Sequence, residues 1–308
     1  MSNILDSVNK RTQLVGQNRL ELLMFALDGK QLYGINVFKV REVIQCPPVT
    51  KLPGCSPVVR GIAQIRSQAI SVIDLSLAVG GPSIGSTENS LVIITEYNRN
   101  TQGFLVQRVE RIVNMNWSDI LPPPKGVGKS HYLTAVTKVD DLLVEIIDVE
   151  KILSEISPNN SSVSQEILEQ NSQQSYEGKY VIIADDSSVA RKQIKSTVEQ
   201  LGYQTKIFKD GRSCFAHLNQ IIDEGREIED EVLLMISDIE MPEMDGYTLT
   251  AEIRNNAKLS KLWIVLHSSL SGVFNEAMVK KVGANDFIPK FNPDELANAV
   301  QRRLNIES

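Results

Sequence analysis

Three carboxylates, a serine and a lysine stand at or just beyond the ends of successive apolar runs in the second half of the chain. Asp185 and Asp186 follow Tyr180–Ala184, Asp238 closes the run that begins at Val232, Ser268 lies just past Leu262–Leu266, and Lys290 just past Asp286–Ile288. If those runs are parallel strands, their carboxyl ends form the crevice where such sheets bind ligands. Two like charges 4 Å apart repel by about 4 kcal/mol at an effective dielectric of 20, so a cation must share the crevice. A hard divalent ion such as Mg2+ suits oxygen ligands of this kind, and Lys290 supplies a second positive charge. A carboxylate can attack a phosphoryl group and form an acyl phosphate, a reaction that needs mainly positioning and charge neutralisation. Ser268 is then placed to hydrogen-bond a phosphoryl oxygen. Taken singly, Asp185-Asp186 reads as a cap for the helix beginning at Ser187, and Lys290 as a surface lysine. Their conjunction on four strand ends is what favours chemistry.

The elements that must position these groups alternate. Tyr180–Ala184, Thr205–Phe208, Val232–Ile236, Leu262–Leu266 and Asp286–Ile288 read as strands, with helical stretches such as Ser187–Leu201 between them. The last helix starts with Asn292 as cap, Pro293 at its first position and Asp294-Glu295 behind, and carries the stripe Leu296, Val300, Leu304. Five strands alternating with five helices predict an α/β flavodoxin-like doubly wound parallel sheet. The first half is different. Leu20–Leu27, Gln31–Val43, Val58–Ile65, Ala69–Ile73, Leu91–Thr95, Gly103–Val113, His131–Val139 and Leu142–Ile147 read as short strands, several separated by turn signals such as Asp28-Gly29 and Asp140-Asp141. They predict one or two small barrels, with short helices near Asp74–Val79 and Val149–Ile156. An amphipathic turn with Ile4, Leu5, Val8 and Val15 is compatible with the N-terminal spacing.

Between the halves, Ser157–Gly178 is rich in Ser, Asn, Gln and Glu and is expected to be a flexible linker, with Ile167 and Leu168 able to seed a helical turn. The division is then 15–156, a linker over 157–178, and 179–308. With 308 residues, 42% of them apolar and 23% charged, the chain is an ordinary two-domain globular protein. A net charge of −6 gives no footprint for nucleic acid. Cys46, Cys55 and Cys214 are expected as reduced thiols. The polar N-terminus and the lack of a run near ~20 apolar residues predict a cytoplasmic protein without direct membrane insertion. Gly128-Lys129-Ser130 imitates the end of a phosphate-binding loop, but Pro123 replaces the first glycine it requires; His131 reads as structural.

The second half resembles the receiver domain of two-component signalling through Ile182–Ser187 (IIADDS), Asp238–Gly246 (DIEMPEMDG), Leu266–Ser269 (LHSS) and Phe287–Lys290 (FIPK). The resemblance implies Asp238 as phosphoacceptor, Asp186 as direct Mg2+ ligand, Asp185 as its water-mediated helper and the backbone carbonyl of Glu240 as a further ligand. It also implies Ser268 as switch hydroxyl, Lys290 as the lysine of the site and Phe287 as the aromatic switch. The family usually has Pro after that lysine, where this chain has Phe291. Glu240 and Leu270, two positions beyond the phosphoacceptor and the switch serine, are expected to tune acyl-phosphate lifetime.

The first half resembles the CheW-like coupling domain through Leu20–Leu27, Tyr33-Gly34-Ile35, Lys39–Val43 (KVREV), Gly61–Leu75 (GIAQIRSQAISVIDL) and Leu142–Ile152 (LLVEIIDVEKI). This implies a pair of SH3-like β-barrels that join chemoreceptor tips to a histidine kinase. Arg66 falls on the family's characteristic arginine, and Val40 and Glu42 in a segment of partner contacts. Ser67 and Ser71 depart from the usual Gly and Pro. Coupling domain, linker and receiver in this order resemble the CheV family of chemotaxis proteins. The resemblance implies a scaffold associated with membrane receptor arrays through its partners, phosphorylated by the kinase at Asp238. A receiver-controlled enzyme is disfavoured because residues 1–155 carry no catalytic set. A receiver-controlled transcription factor is disfavoured because the strand-rich half has no helix-turn-helix pattern.

Overall fold

The computed structural model describes residues 19–97, 100–123, 132–156, 162–170, 178–268, 273–290 and 292–304. They form two compact units, Arg19–Pro158 and the part from Asn159 onward.

In the first unit the strands are β1 (Arg19–Ala26), β2 (Leu32–Asn36), β3 (Val40–Gln45), β4 (Val59–Ile65), β5 (Gln68–Asp74), β6 (Leu91–Tyr97), β7 (Asn100–Val106), β8 (Arg108–Asn116), β9 (Ile120–Leu121), β10 (Leu133–Val139) and β11 (Leu142–Ile147). They make a six-stranded sheet, β8-β1-β2-β11-β10-β9, and a five-stranded sheet, β3-β6-β7-β5-β4. Strand β1 is apolar at nearly every position because both its faces are covered. Leu20, Leu22, Met24 and Ala26 fill the inside of the first sheet with Met115, Val144 and Ile146. Leu23 and Phe25 pack the other way, against Ile35, Ile73, Ile93, Phe104 and Ile152. Inside the second sheet, Ala63, Ile65, Val72, Val92, Ile94 and Leu105 pack together.

Two expected strands are in fact broken. Gln31–Val43 divides into β2 and β3 around a 3-10 turn at Val37–Lys39, because its two halves pair in different sheets. Lys39 in that turn meets the buried Glu150 at 3.0 Å, which ties it to the helix Val149–Ile156. Gly103–Val113 divides at Gln107, whose N–H donates to the Ala26 carbonyl where the chain crosses from one sheet to the other. The two-residue β9 is too short to carry any periodicity. The amphipathic turn expected at residues 4–15, Gly128–Ser130 and His131 lie outside the described residues.

The second unit holds β12 (Tyr180–Ala184), β13 (Gln204–Phe208), β14 (Val232–Asp238), β15 (Ile264–Ser268) and β16 (Asp286–Pro289) in the order β13-β12-β14-β15-β16, all parallel. Helices Ser188–Gln200, Gly211–Asp223, Gly246–Asn255, Val273–Val282 and Pro293–Leu304 follow the strands in turn, with one further turn at Ile228–Glu231. Residues of β12 alternate between two cores: Val181 and Ile183 join Ile194, Val198, Leu296 and Val300, whereas Ile182 joins Met235, Leu249 and Leu266. The last helix starts as its sequence indicates, with the Asn292 side chain accepting from the N–H groups of Asp294 and Glu295.

The stretch expected as linker contains an ordered piece. Gln165–Gln170 is helical, and Val163, 5% exposed, enters the core beside Ile194 and Val198 with Ile167 and Leu168 packed against it. The N–H groups of Val163 and Ser164 donate to Gln200 and Asp294, and the Gln301 amide donates to the Ile167 carbonyl. Burying a valine contributes about 1.5–3 kcal/mol. Val163→Asp is therefore expected to lower the receiver's stability by about that much. The check is the urea midpoint reported by Trp263 in a Trp117→Phe background; an unchanged midpoint means the segment contributes nothing.

Candidate functional site at the carboxyl ends of the parallel strands

Asp185 is the residue after β12, Asp238 ends β14, Ser268 ends β15, and Lys290 follows β16. Because β12, β14, β15 and β16 are consecutive neighbours in the sheet, these four strand ends lie side by side. All four residues are buried. The Lys290 ammonium lies 2.7 Å from Asp238 Oδ2 and 3.0 Å from Asp185 Oδ2. Its backbone N–H donates to the Ser268 carbonyl, which fixes the start of the following loop. Asp185 Oδ1 accepts from the Ser187 N–H at 2.7 Å, and its carbonyl accepts from Arg191. Ser187, not Asp185 or Asp186, is the cap of the helix that follows.

Gly246 is required by close approach. A Cβ there would meet the Asp238 carbonyl oxygen at 2.1 Å, so only glycine lets the next helix begin against the strand end. Asp245 before it caps that helix by accepting from the Thr248 N–H.

The two buried aspartates are pushed in opposite directions. Burial alone would raise Asp185, but the Lys290 charge and the imidazole of His267 overcome it and hold this carboxyl well below its ordinary range. Burial raises Asp238, Lys290 opposes this, and Asp185, Asp186 and Glu240 add to it, so its carboxyl lies well above the ordinary value.

In the first unit, Arg66 and Glu42 come together. Their side chains pair at 2.8 Å, with Arg66 73% exposed at the tip of the β4–β5 hairpin, where Ile65 pairs with Gln68. Arg66 has φ 54°, a left-handed conformation that favours glycine. Val40 is half-buried and packs against the core between the two sheets.

Residues 21–157 match the family model of the CheW-like domain, and residues 181–301 that of the response regulator receiver domain. Chemotaxis protein CheV1 of Helicobacter pylori is 30% identical over 327 residues, covering 99% of this chain and 100% of its own. The chain belongs to the CheV family. Chemotaxis protein CheV3 of the same organism is 29% identical over 93% of this chain and 95% of its own. Chemotaxis protein CheW of Klebsiella aerogenes is 27% identical over 46% of this chain and 84% of its own. This CheV-family protein is accordingly a chemotaxis coupling scaffold that carries a receiver domain, a signalling protein rather than an enzyme for a small substrate. Among the described residues, no helix is long and apolar enough to cross a membrane.

In the CheV-family chain, Asp185, Asp238 and Lys290 are in direct contact, and Ser268 lies at the adjoining strand end. Asp186 is exposed at the mouth and reaches Asp238 through its charge; Glu240 is half-buried and acts on Asp238 likewise. Phe287 is half-buried against the core. Leu270 and Phe291 lie outside the described residues. His267 was not singled out by the sequence. It is 1% exposed, its Nε2 is 3.2 Å from Asp185 Oδ2, and ligand atoms of Asp185, Asp238 and His267 lie within 4.8 Å of one another. The available signal was a titratable residue inside an otherwise apolar strand, immediately before Ser268. A lone histidine in such a run is ordinarily a core residue, and the neighbour that distinguishes it belongs to another strand. Carboxylate oxygens of Asp185 and Asp238 lie within 4.8 Å of each other, and oxygen donors of this kind fit a hard divalent cation.

Proposed function

We propose that Asp238 is phosphorylated by a histidine kinase and that this biases contacts made by the coupling domain with the kinase and with chemoreceptor tips. The observation that carries the reading is Lys290 bridging Asp238 and Asp185 at adjoining strand ends. Mg2+ would be held by Asp185, Asp186, Asp238 and the backbone carbonyl of Glu240. When bound, the ion neutralises the carboxylates and the transferring oxygens. An Asp238 carboxylate oxygen attacks phosphorus; the phosphorus–nitrogen bond of the donor phosphohistidine breaks, and its electron pair leaves on the imidazole. Lys290 balances charge on the acyl phosphate. Ser268 donates its hydroxyl to a phosphoryl oxygen, and the shift of its strand end is passed on through Phe287. The protein accelerates only this transfer and the subsequent hydrolysis, in which water takes the phosphoryl group as inorganic phosphate and the Asp238 carboxylate is restored. Glu240 and Leu270 set the hydrolysis rate, and replacing each by Ala is expected to change it.

Coupling of this kind is worth about 1–3 kcal/mol, roughly 5–150-fold in partner affinity. The test is kinase output in receptor–kinase arrays reconstituted with wild type or Asp238→Asn, with and without phosphodonor. Donor-dependent output with wild type alone supports the reading; identical output from both proteins overturns it.

Arg66, Glu42 and Val40 mark the surface proposed to meet the receptor and kinase. A left-handed arginine held at a hairpin tip costs about 1–2 kcal/mol relative to glycine, a strain suited to presenting a side chain outward. Exposed ion pairs contribute about 0–1 kcal/mol. Arg66→Glu is therefore expected to change the unfolding midpoint little. It should reduce co-sedimentation with receptor-containing membranes about tenfold, the equivalent of about 1.4 kcal/mol. Undiminished co-sedimentation would remove Arg66 from the contact.

A further inference from the structure

The residue that remains without a role is His267. Strand β15 is central in its sheet and its other side chains before Ser268 are Ile264, Val265 and Leu266, all buried. An imidazole in such a strand costs stability unless polar groups answer it. The group it faces is Asp185, whose carboxylate is gripped from two sides: Oδ1 by the Ser187 N–H, and Oδ2 by Lys290 at 3.0 Å and His267 Nε2 at 3.2 Å.

These two contacts on Oδ2 are not equivalent. Lys290 is shared with Asp238, to which it is closer, so any change of charge at Asp238 redistributes its hold on Asp185. His267 belongs to the strand hydrogen-bonded beside Asp238, with the two residues paired in register, yet its ring nitrogen meets Asp185. It can keep Asp185 in place while Lys290 follows the charge on Asp238. At 3.2 Å the His267–Asp185 contact is at the long end for a hydrogen bond. Contacts of this kind often tighten when a site is loaded.

We infer that His267 is a positioning residue that fixes the Asp185 carboxylate for the divalent ion, an inference that rests on the proposed cation site. Partners that orient the groups holding a metal, directly or through water, typically change metal affinity by 10–100-fold when lost. His267 would act on ion binding more than on the transfer itself, because it touches Asp185 and not the attacking oxygen.

The experiment is calorimetric Mg2+ titration of the full chain as wild type, His267→Leu, His267→Gln and Asp186→Asn. His267→Leu fills the buried site with apolar volume and is expected to fold, which its urea midpoint checks. It is expected to weaken Mg2+ by about tenfold or more. His267→Gln keeps an amide N–H within reach of Asp185 and is expected to recover most of that loss. At saturating Mg2+, the rate of labelling by acetyl phosphate in His267→Leu should return close to the wild-type value. Wild-type affinity in His267→Leu overturns the inference, as does a Gln variant no better than Leu, which would make the role one of packing. Should Asp186→Asn also leave Mg2+ binding unchanged, the fault lies with the cation site itself; weakened binding in Asp186→Asn alone leaves that site standing and rejects only the role of His267.

Discussion

Asp238→Asn is expected to reduce Mg2+-dependent labelling by acetyl phosphate to background and, without a divalent ion, to stabilise the receiver at neutral pH. The first effect follows because the amide has nearly the carboxylate's shape but lacks its nucleophilic charge. The second follows from the direction of the Asp238 pKa. Its folded value lies above the ordinary one, so the folded state binds this proton more tightly than the unfolded chain does. Such a group contributes its stability below the unfolded pKa, about 3.9 for aspartate, and loses it as pH rises through the folded value. At neutral pH the folded state therefore bears a cost at this carboxyl that the unfolded chain does not. The amide removes that cost and leaves no orphaned cation, since Lys290 still has Asp185 at 3.0 Å. Thermal midpoints of the two proteins should therefore differ at pH 7 and converge below about pH 3, where Asp238 is protonated in both states. Mg2+ should reverse the order at pH 7 by stabilising the wild type more. Label retained by Asp238→Asn would end the case for this residue as acceptor.

Lys290→Met is expected to destabilise the receiver by about 3–5 kcal/mol, the range for removing one partner of a buried ion pair. Lys290 is itself buried and touches both carboxylates, so its loss leaves the negative charges facing each other in a poorly solvated crevice. Methionine keeps most of the volume, so the effect reads out charge rather than a cavity. Adding Asp238→Asn to Lys290→Met should restore part of the loss, because the two residues share one network and their effects do not add. Mg2+ should raise the midpoint of Lys290→Met by more than that of the wild type, as the ion supplies the missing positive charge. Urea midpoints followed through Trp263 test all three statements. An unaltered midpoint in Lys290→Met would mean that the crevice is open to water and that the lysine does not hold it together.

The two buried aspartates make the stability of this arrangement depend on pH in opposite senses. Asp185 lies below its ordinary range, so its contribution is present above the unfolded pKa and is lost as pH falls through the folded value. Asp238 shifts the other way. Acid therefore weakens the hold of Lys290 on Asp185 while relieving Asp238.

The chain by itself determined the residues at the strand ends. In a parallel sheet each strand runs the same way, so Asp185, Asp238, Ser268 and Lys290 had to emerge on one edge once the runs before them were read as strands. The start of the last helix was equally legible, because a cap needs only Asn292 and the two N–H groups close behind it. Four other features were decided by tertiary structure. The apolar content of residues 31–43 and 103–113 says strand throughout, and only pairing with distant segments decides that each run divides between two sheets. Val163, Ile167 and Leu168 are too few to stand out in a polar stretch, and their docking depends on a groove made by Ile194, Val198 and Val300. Arg66 and Glu42 are 24 positions apart and meet only through the fold of the second sheet. His267 looks like a core residue along its own strand, and becomes part of the site only because another strand brings Asp185 to its ring. Periodicity and capping are written among neighbours a few residues apart; contacts across strands depend on register and sheet order, which the whole chain settles together.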